Sequence, residues 1–111
     1  PSRLTASSVR SFQLFLNRQT VAEIARQRKL KVSTIQEHLL EAAIFENDFP
    51  YQHILSTEIQ RQLLVSFPQS DLVNWNYQVV HQLGIPFFQF RLFQIQQLKQ
   101  KKGGNLLVNK K

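Results

Sequence analysis

Residues 21–39 read VAEIARQRKLKVSTIQEHL. Val21, Ile24 and Ala25 fall on one face of a helix, and Ile35, Leu39 and Ala42 follow at i, i+4 and i+7 on the face of another. Between them lies a basic break, RKLK, at 28–31. Thr20 and Glu23 form a capping box for the first segment, and Ser33 with Gln36 is expected to open the second. Ala25 is small where two helices would cross. Ten residues separate it from Ile35, the spacing that two helices and a tight turn require. The stretch therefore predicts a helix-turn-helix with its core motif at 20–44, packed through Ile24, Leu30, Ile35 and Leu39. At Lys29, just before Leu30, such turns favour glycine because the chain goes left-handed. Any other residue there costs roughly 1–2 kcal/mol, so with Lys29 the turn is expected either to be less tight or to be compensated by the rest of the domain.

Working outward, Thr5, Ser7 and Ser8 precede a first helix carrying Val9, Phe12, Phe15 and Leu16, with Asn17 as its stop. FENDFPYQ, residues 45–52, reads as a connector. Thr57 and Gln60 suggest a cap for a helix burying Ile59, Leu63 and Leu64, which Phe67-Pro68 ends. Ser70 and Asp71 can start a helix with Leu72, Trp75, Val79 and Leu83 inward, stopped by Gly84. From Pro86 the pattern is ambiguous. Phe88, Phe90 and Leu92 alternate like a strand, whereas Phe88, Leu92, Ile95 and Lys99 follow helical spacing. The good helix formers of QIQQLKQKK favour helix, ended by Gly103-Gly104. The expectation is an all-α fold, a compact bundle of five to six helices containing the helix-turn-helix. It would form one domain over 1–102 with a flexible basic tail at 103–111.

Composition narrows the function. A hydrophobic share of 42% in 111 residues suffices for a modest core. No apolar stretch approaches membrane-spanning length, and no hydrophobic leader opens the sequence. Cysteine is absent, which excludes disulfides and thiolate metal sites. Methionine is absent as well, which reads as a fragment of a longer protein. The net charge of +7 is uneven. Residues 1–45 carry +4, residues 46–98 carry −2, and residues 99–111 carry five lysines and no acid. A basic helix-turn-helix half and a basic end are the electrostatic footprint of nucleic-acid binding.

With Ile35 inward, Ser33, Thr34, Glu37 and Glu41 point away from the core and Gln36 lies on the flank. Gln36 and Glu37 are candidates for base edges, Ser33 and Thr34 for a phosphate at the helix N-terminus. Arg26, Arg28, Lys29 and Lys31 would supply phosphate contacts. The second helix of the motif has no Arg or Lys from Ser33 to Ile44. That favours sequence-tolerant binding over base-specific readout. His38 is a candidate too, with a local structural role as its alternative. Phe87 and Phe90 sit off the Phe88–Leu92–Ile95 stripe and are candidates for stacking or partner binding. No Gly-rich phosphate loop, nucleophile arrangement or paired carboxylate suggests an enzyme. His53 and His81 stand apart, so no metal or other cofactor is expected.

Two resemblances add to this. VAEIARQRKLKVSTIQEHL resembles the EIA…L..ST(V/I)..HL segment of LuxR-type DNA-binding domains, which implies a structural or phosphate role for His38. Over roughly residues 5–100, SVRSFQLFLNRQTVAEIARQRKLKVSTIQEHLLEAA and the later IPFFQFRLFQIQQL are similar to a C-terminal domain. That domain is the helix-turn-helix of bacterial RecQ-like helicases and of YpbB-type helicase-associated proteins. The resemblance implies a non-catalytic DNA-binding module on duplex or branched DNA, a helicase partner, and a cytoplasmic, nucleoid-associated location. It implies no membrane and no small-molecule substrate. The alternative expectation is a protein-interaction module that docks a helicase or self-associates without touching DNA.

Overall fold

The computed structural model describes residues 4–67 and 75–109. Among them the chain is all-α, with six α-helices, one 3-10 turn and no strand. The sequence reading treats 1–102 as one domain; by its contacts the chain divides into two compact units, Pro1–Pro50 and Tyr51–Lys111.

The first unit holds α1 (Ala6–Leu16), α2 (Val21–Arg28) and α3 (Val32–Phe45), each packed on the other two. The Thr5 side chain caps α1 by accepting from Ser8 N–H. Thr20 and Glu23 complete the expected capping box on α2. α3 begins one residue before Ser33. Its N-cap is Lys31, with no side-chain bond, so the Ser33–Gln36 box does not form. The core is Phe15, Ile24, Ile35, Leu39, Ala42 and Ala43, all 0–2% exposed. Phe49 returns from the connector to stack on Phe12 and Phe15, with ring centroids 5.8 and 5.3 Å away. Leu16 and Leu30, expected inside, lie 47% and 37% exposed. On α1 the places nearest α3 go to Ser8 and Ser11, both fully buried.

The second unit holds the 3-10 turn Tyr51–His53, α4 (Thr57–Ser66), α5 (Tyr77–His81) and α6 (Phe87–Asn109). Ser56 caps α4 by accepting from Ile59 N–H, one residue before the expected Thr57. Leu63 is buried but Leu64 is 43% exposed, so the inner face of α4 is narrower than its apolar pattern. The expected start at Ser70 and Asp71, and Leu72, lie outside the described residues. α5 is capped by Asn76, and it buries Val80 while Val79 and Leu83 face out. The contested stretch from Pro86 is helix. α6 continues through Gly103-Gly104, where a stop and the basic tail were expected. Glycine weakens a helix by about 1 kcal/mol relative to alanine without blocking it.

Three links share one backbone pattern. A left-handed residue, a bridging residue and a further residue lead into the next helix: Arg18-Gln19-Thr20, Lys29-Leu30-Lys31 and Gly84-Ile85-Pro86. In the first two, the bridging N–H reaches back to close the preceding helix: Gln19 N–H to the Leu14 carbonyl at 3.2 Å, Leu30 N–H to the Ala25 carbonyl at 3.0 Å. Arg18, not Asn17, is the left-handed residue after α1, at φ 72°. Lys29 has φ 57° and ψ 43°, the conformation expected of the turn. Lys29→Gly should therefore raise unfolding free energy by about 1 kcal/mol, the strain relieved less the entropy glycine adds to the unfolded chain. Urea denaturation of the two proteins measures this.

Candidate nucleic-acid interface

The sequence-derived candidates divide into an outer set and an inner set. Arg26, Lys29, Lys31, Ser33 and Glu37 are exposed, along the end of α2, the turn and the first turns of α3. Thr34 and Gln36 are half-buried at the margins of this strip. Val32, absent from the sequence candidates, is 45% exposed at the first position of α3. The strip thus places three cations beside a helix start whose N-cap residue supplies no side-chain acceptor. Glu23, behind it, is held below the usual carboxylate range by accepting from the Thr20 N–H and hydroxyl, with Arg26 adding a smaller effect.

Arg28, His38 and Glu41 turn inward. Arg28 Nη1 donates to the Ser7 carbonyl at 2.7 Å and to Ser11 Oγ at 2.6 Å, and Nη2 donates to Ser7 Oγ at 3.2 Å. Its fork is occupied by α1, so it is a structural cation and not the free phosphate contact that RKLK suggested. His38 lies three residues beyond the buried Ile35, and its Nδ1 is 2.8 Å from Ser11 Oγ. Glu41 accepts from Ser8 Oγ at 3.1 Å. It is not the outward-pointing residue that the helical rotation from Ile35 implied.

Sequence reasoning missed this network because it looked for apolar side chains on the inner face of α1. The available signal was Ser8, Ser11 and Phe15 at i, i+3 and i+7, with polar partners at Arg28, His38 and Glu41. Burial lowers the His38 pKa from its ordinary value. The Arg28 charge adds to this, while Glu41 and Glu37 oppose it. A neutral ring has one bare nitrogen. Ser11 Oγ lies within hydrogen-bond distance of Nδ1 while it also accepts from Arg28, and which of Ser11 and His38 donates follows from the tautomer of the ring.

The two aromatic candidates also separate. Phe87 is 53% exposed, whereas Phe90 is 3% exposed. Phe90 packs against Phe67 at 5.5 Å and Trp75 at 6.2 Å, so it is a core residue and not a stacking surface. A helix packed against both α4 and α5 buries more than one stripe, which is why a position off the stripe is inside.

These geometries agree with the comparisons. A family model described as a helix-turn-helix domain matches residues 7–94, and the chain belongs to that family. The comparisons with curated proteins and with solved structures find no match.

The serine network makes two measurable statements. Ser11→Ala removes an acceptor from Arg28 and a hydrogen-bond partner from His38, and should cost about 1–3 kcal/mol of stability by chemical denaturation. Because folding lowers the His38 pKa, the unfolded chain binds its proton first. The stability tied to neutral His38 is complete above pH about 6.5 and is lost as pH falls through the folded pKa. His38→Gln should flatten that decline in denaturation midpoints measured from neutral pH downward.

Proposed function

We propose that this chain is a non-catalytic DNA-binding module whose first unit contacts duplex or branched DNA chiefly through phosphates. The observation carrying this reading is the exposed set Arg26, Lys29 and Lys31 beside the start of α3. In a helix-turn-helix that edge is the one brought against the backbone when α3 enters the major groove. The exposed Ser33 adds a hydroxyl at the same edge, and Gln36 and Glu37 stand next to it for base contact. With no cation on α3 from Ser33 to Ile44, guanine has no bidentate partner there, which favours tolerance of sequence. The resemblance to the C-terminal domains of RecQ-like helicases and YpbB-type proteins supports a place beside a helicase, in the bacterial cytoplasm and at the nucleoid.

A second reading, docking of a protein partner such as a helicase, is favoured by Ile44 and Phe45. They lie 47% and 43% exposed at the far end of α3.

Fluorescence anisotropy against labelled duplex at several salt concentrations separates the two. Each phosphate contact adds about −0.9 to the log–log salt slope. Replacing Arg26, Lys29 and Lys31 together by glutamine should flatten the slope by about three and weaken binding to any duplex sequence alike. Arg28 is left in place because its loss would damage the fold. Duplex binding by wild type that the triple variant leaves unaltered, or no binding at low salt, would refute the DNA reading and favour docking.

A further inference from the structure

The second unit presents a surface that the helix-turn-helix reading does not use. Phe87, the first residue of α6, is more than half exposed. Its ring is braced from behind. Tyr77 meets it edge-on at 5.2 Å and 88°, and the buried Phe90 lies 6.2 Å away. Tyr77 is itself fixed, its hydroxyl donating to the Ile85 carbonyl at 3.1 Å. On the other side of Tyr77 lies exposed His81, edge-on with centroids 6.0 Å apart. Tyr77 thus touches both exposed rings, Phe87 and His81, at α5 and the start of α6.

Charge says what this surface faces. From Leu72 to Lys111 there is no Asp or Glu in 40 residues, while Arg91, Lys99, Lys101, Lys102, Lys110 and Lys111 are all cationic. Arg91 lies about one helical turn beyond Phe87, half-buried, its guanidinium donating to Gln94 Oε1. The nearest described acid in this unit, Glu58, is already paired with Arg61 at 2.6 Å. With Arg91 beside it and no acid in the segment, the ring surface offers no charge complement to a basic partner. A cation beside an exposed ring suits a polyanion that carries flat rings.

We infer that the second unit carries a separate contact for single-stranded nucleic acid. Phe87 is the stacking platform for an unpaired base, Tyr77 and His81 add ring contacts beside it, and Arg91, one turn along α6, draws in the backbone. Every base has a π-face, so the contact accepts any sequence. It is independent of the strip on α2 and α3, which addresses duplex phosphates.

The test uses the full chain, titrated with labelled oligo(dT), oligo(rU) and a blunt duplex. Phe87→Leu keeps the bulk and removes the π-face. It should weaken binding to both single strands on the order of tenfold and leave duplex affinity unchanged. Phe87→Trp should keep strand binding, and its added emission should be quenched when strand is bound. Replacing Arg26, Lys29 and Lys31 should do the reverse of Phe87→Leu, so failure of the duplex reading shows in a different arm. A stronger effect on oligo(rU) than on oligo(dT) would assign the contact to RNA. The inference is overturned if wild type does not bind single strands, if Phe87→Leu binds them as wild type does, or if it weakens strand and duplex by the same factor. It is equally overturned if the Phe87→Trp emission is unmoved by saturating strand, or if Phe87→Leu instead converts a dimer to a monomer in sedimentation.

Discussion

The Ser11 hydroxyl is the point on which the first unit depends. It accepts a hydrogen bond from Arg28 on α2 and shares one with His38 Nδ1 on α3, so one oxygen on α1 ties both halves of the helix-turn-helix. Apolar packing among Ile24, Ile35 and Leu39 brings the helices together but is non-directional. The hydrogen bonds add direction, because each is part-buried and costly to leave unmade. That cost recruits Arg28 to the scaffold and leaves Arg26, Lys29 and Lys31 as the free cations of the RKLK region. Where the first unit could meet DNA is therefore decided partly by which arginine the interior consumes.

Much of the fold was legible because its signals are local. The Thr20–Glu23 capping box and the Ala25-to-Ile35 spacing each rest on a few adjacent residues, and the turn between them was legible as a place that favours a left-handed residue although Lys29 left its tightness open. The helix from Phe87 was legible through the residues that follow it. Errors arose where a residue's role is set by distant partners. Ser8 read as part of the helix start and Ser11 was passed over because periodicity counts apolar groups, yet their partners on α2 and α3 bring them inside. Phe90 read as exposed because one stripe was assumed for a helix that contacts α4, α5 and the 3-10 turn. Leu30, Leu64, Val79 and Leu83 show the opposite error, since apolar character alone does not place a side chain in a core.

Of the candidate site, the exposed cations and Ser33 were legible because they flank a turn that the sequence defines. The split within the basic cluster was not. Arg26 and Arg28 are two residues apart on the same helix, and only the position of Ser7 and Ser11 on another helix tells them apart. The division between Phe87 and Phe90 has the same character. They are neighbours on one helix, and the surrounding aromatic cluster buries one and leaves the other at its edge.

The shared three-residue links bear on how such a chain can vary. Arg18 and Lys29 hold a left-handed backbone without glycine, so the link prescribes backbone shape more strictly than residue type. A substitution there changes local charge at a small conformational cost. A deletion or insertion removes the bridging N–H from its carbonyl and turns the following helix by about 100° per residue. Ile35 and Leu39 would then leave the interior. The turns are thus permissive to replacement and closed to changes in length.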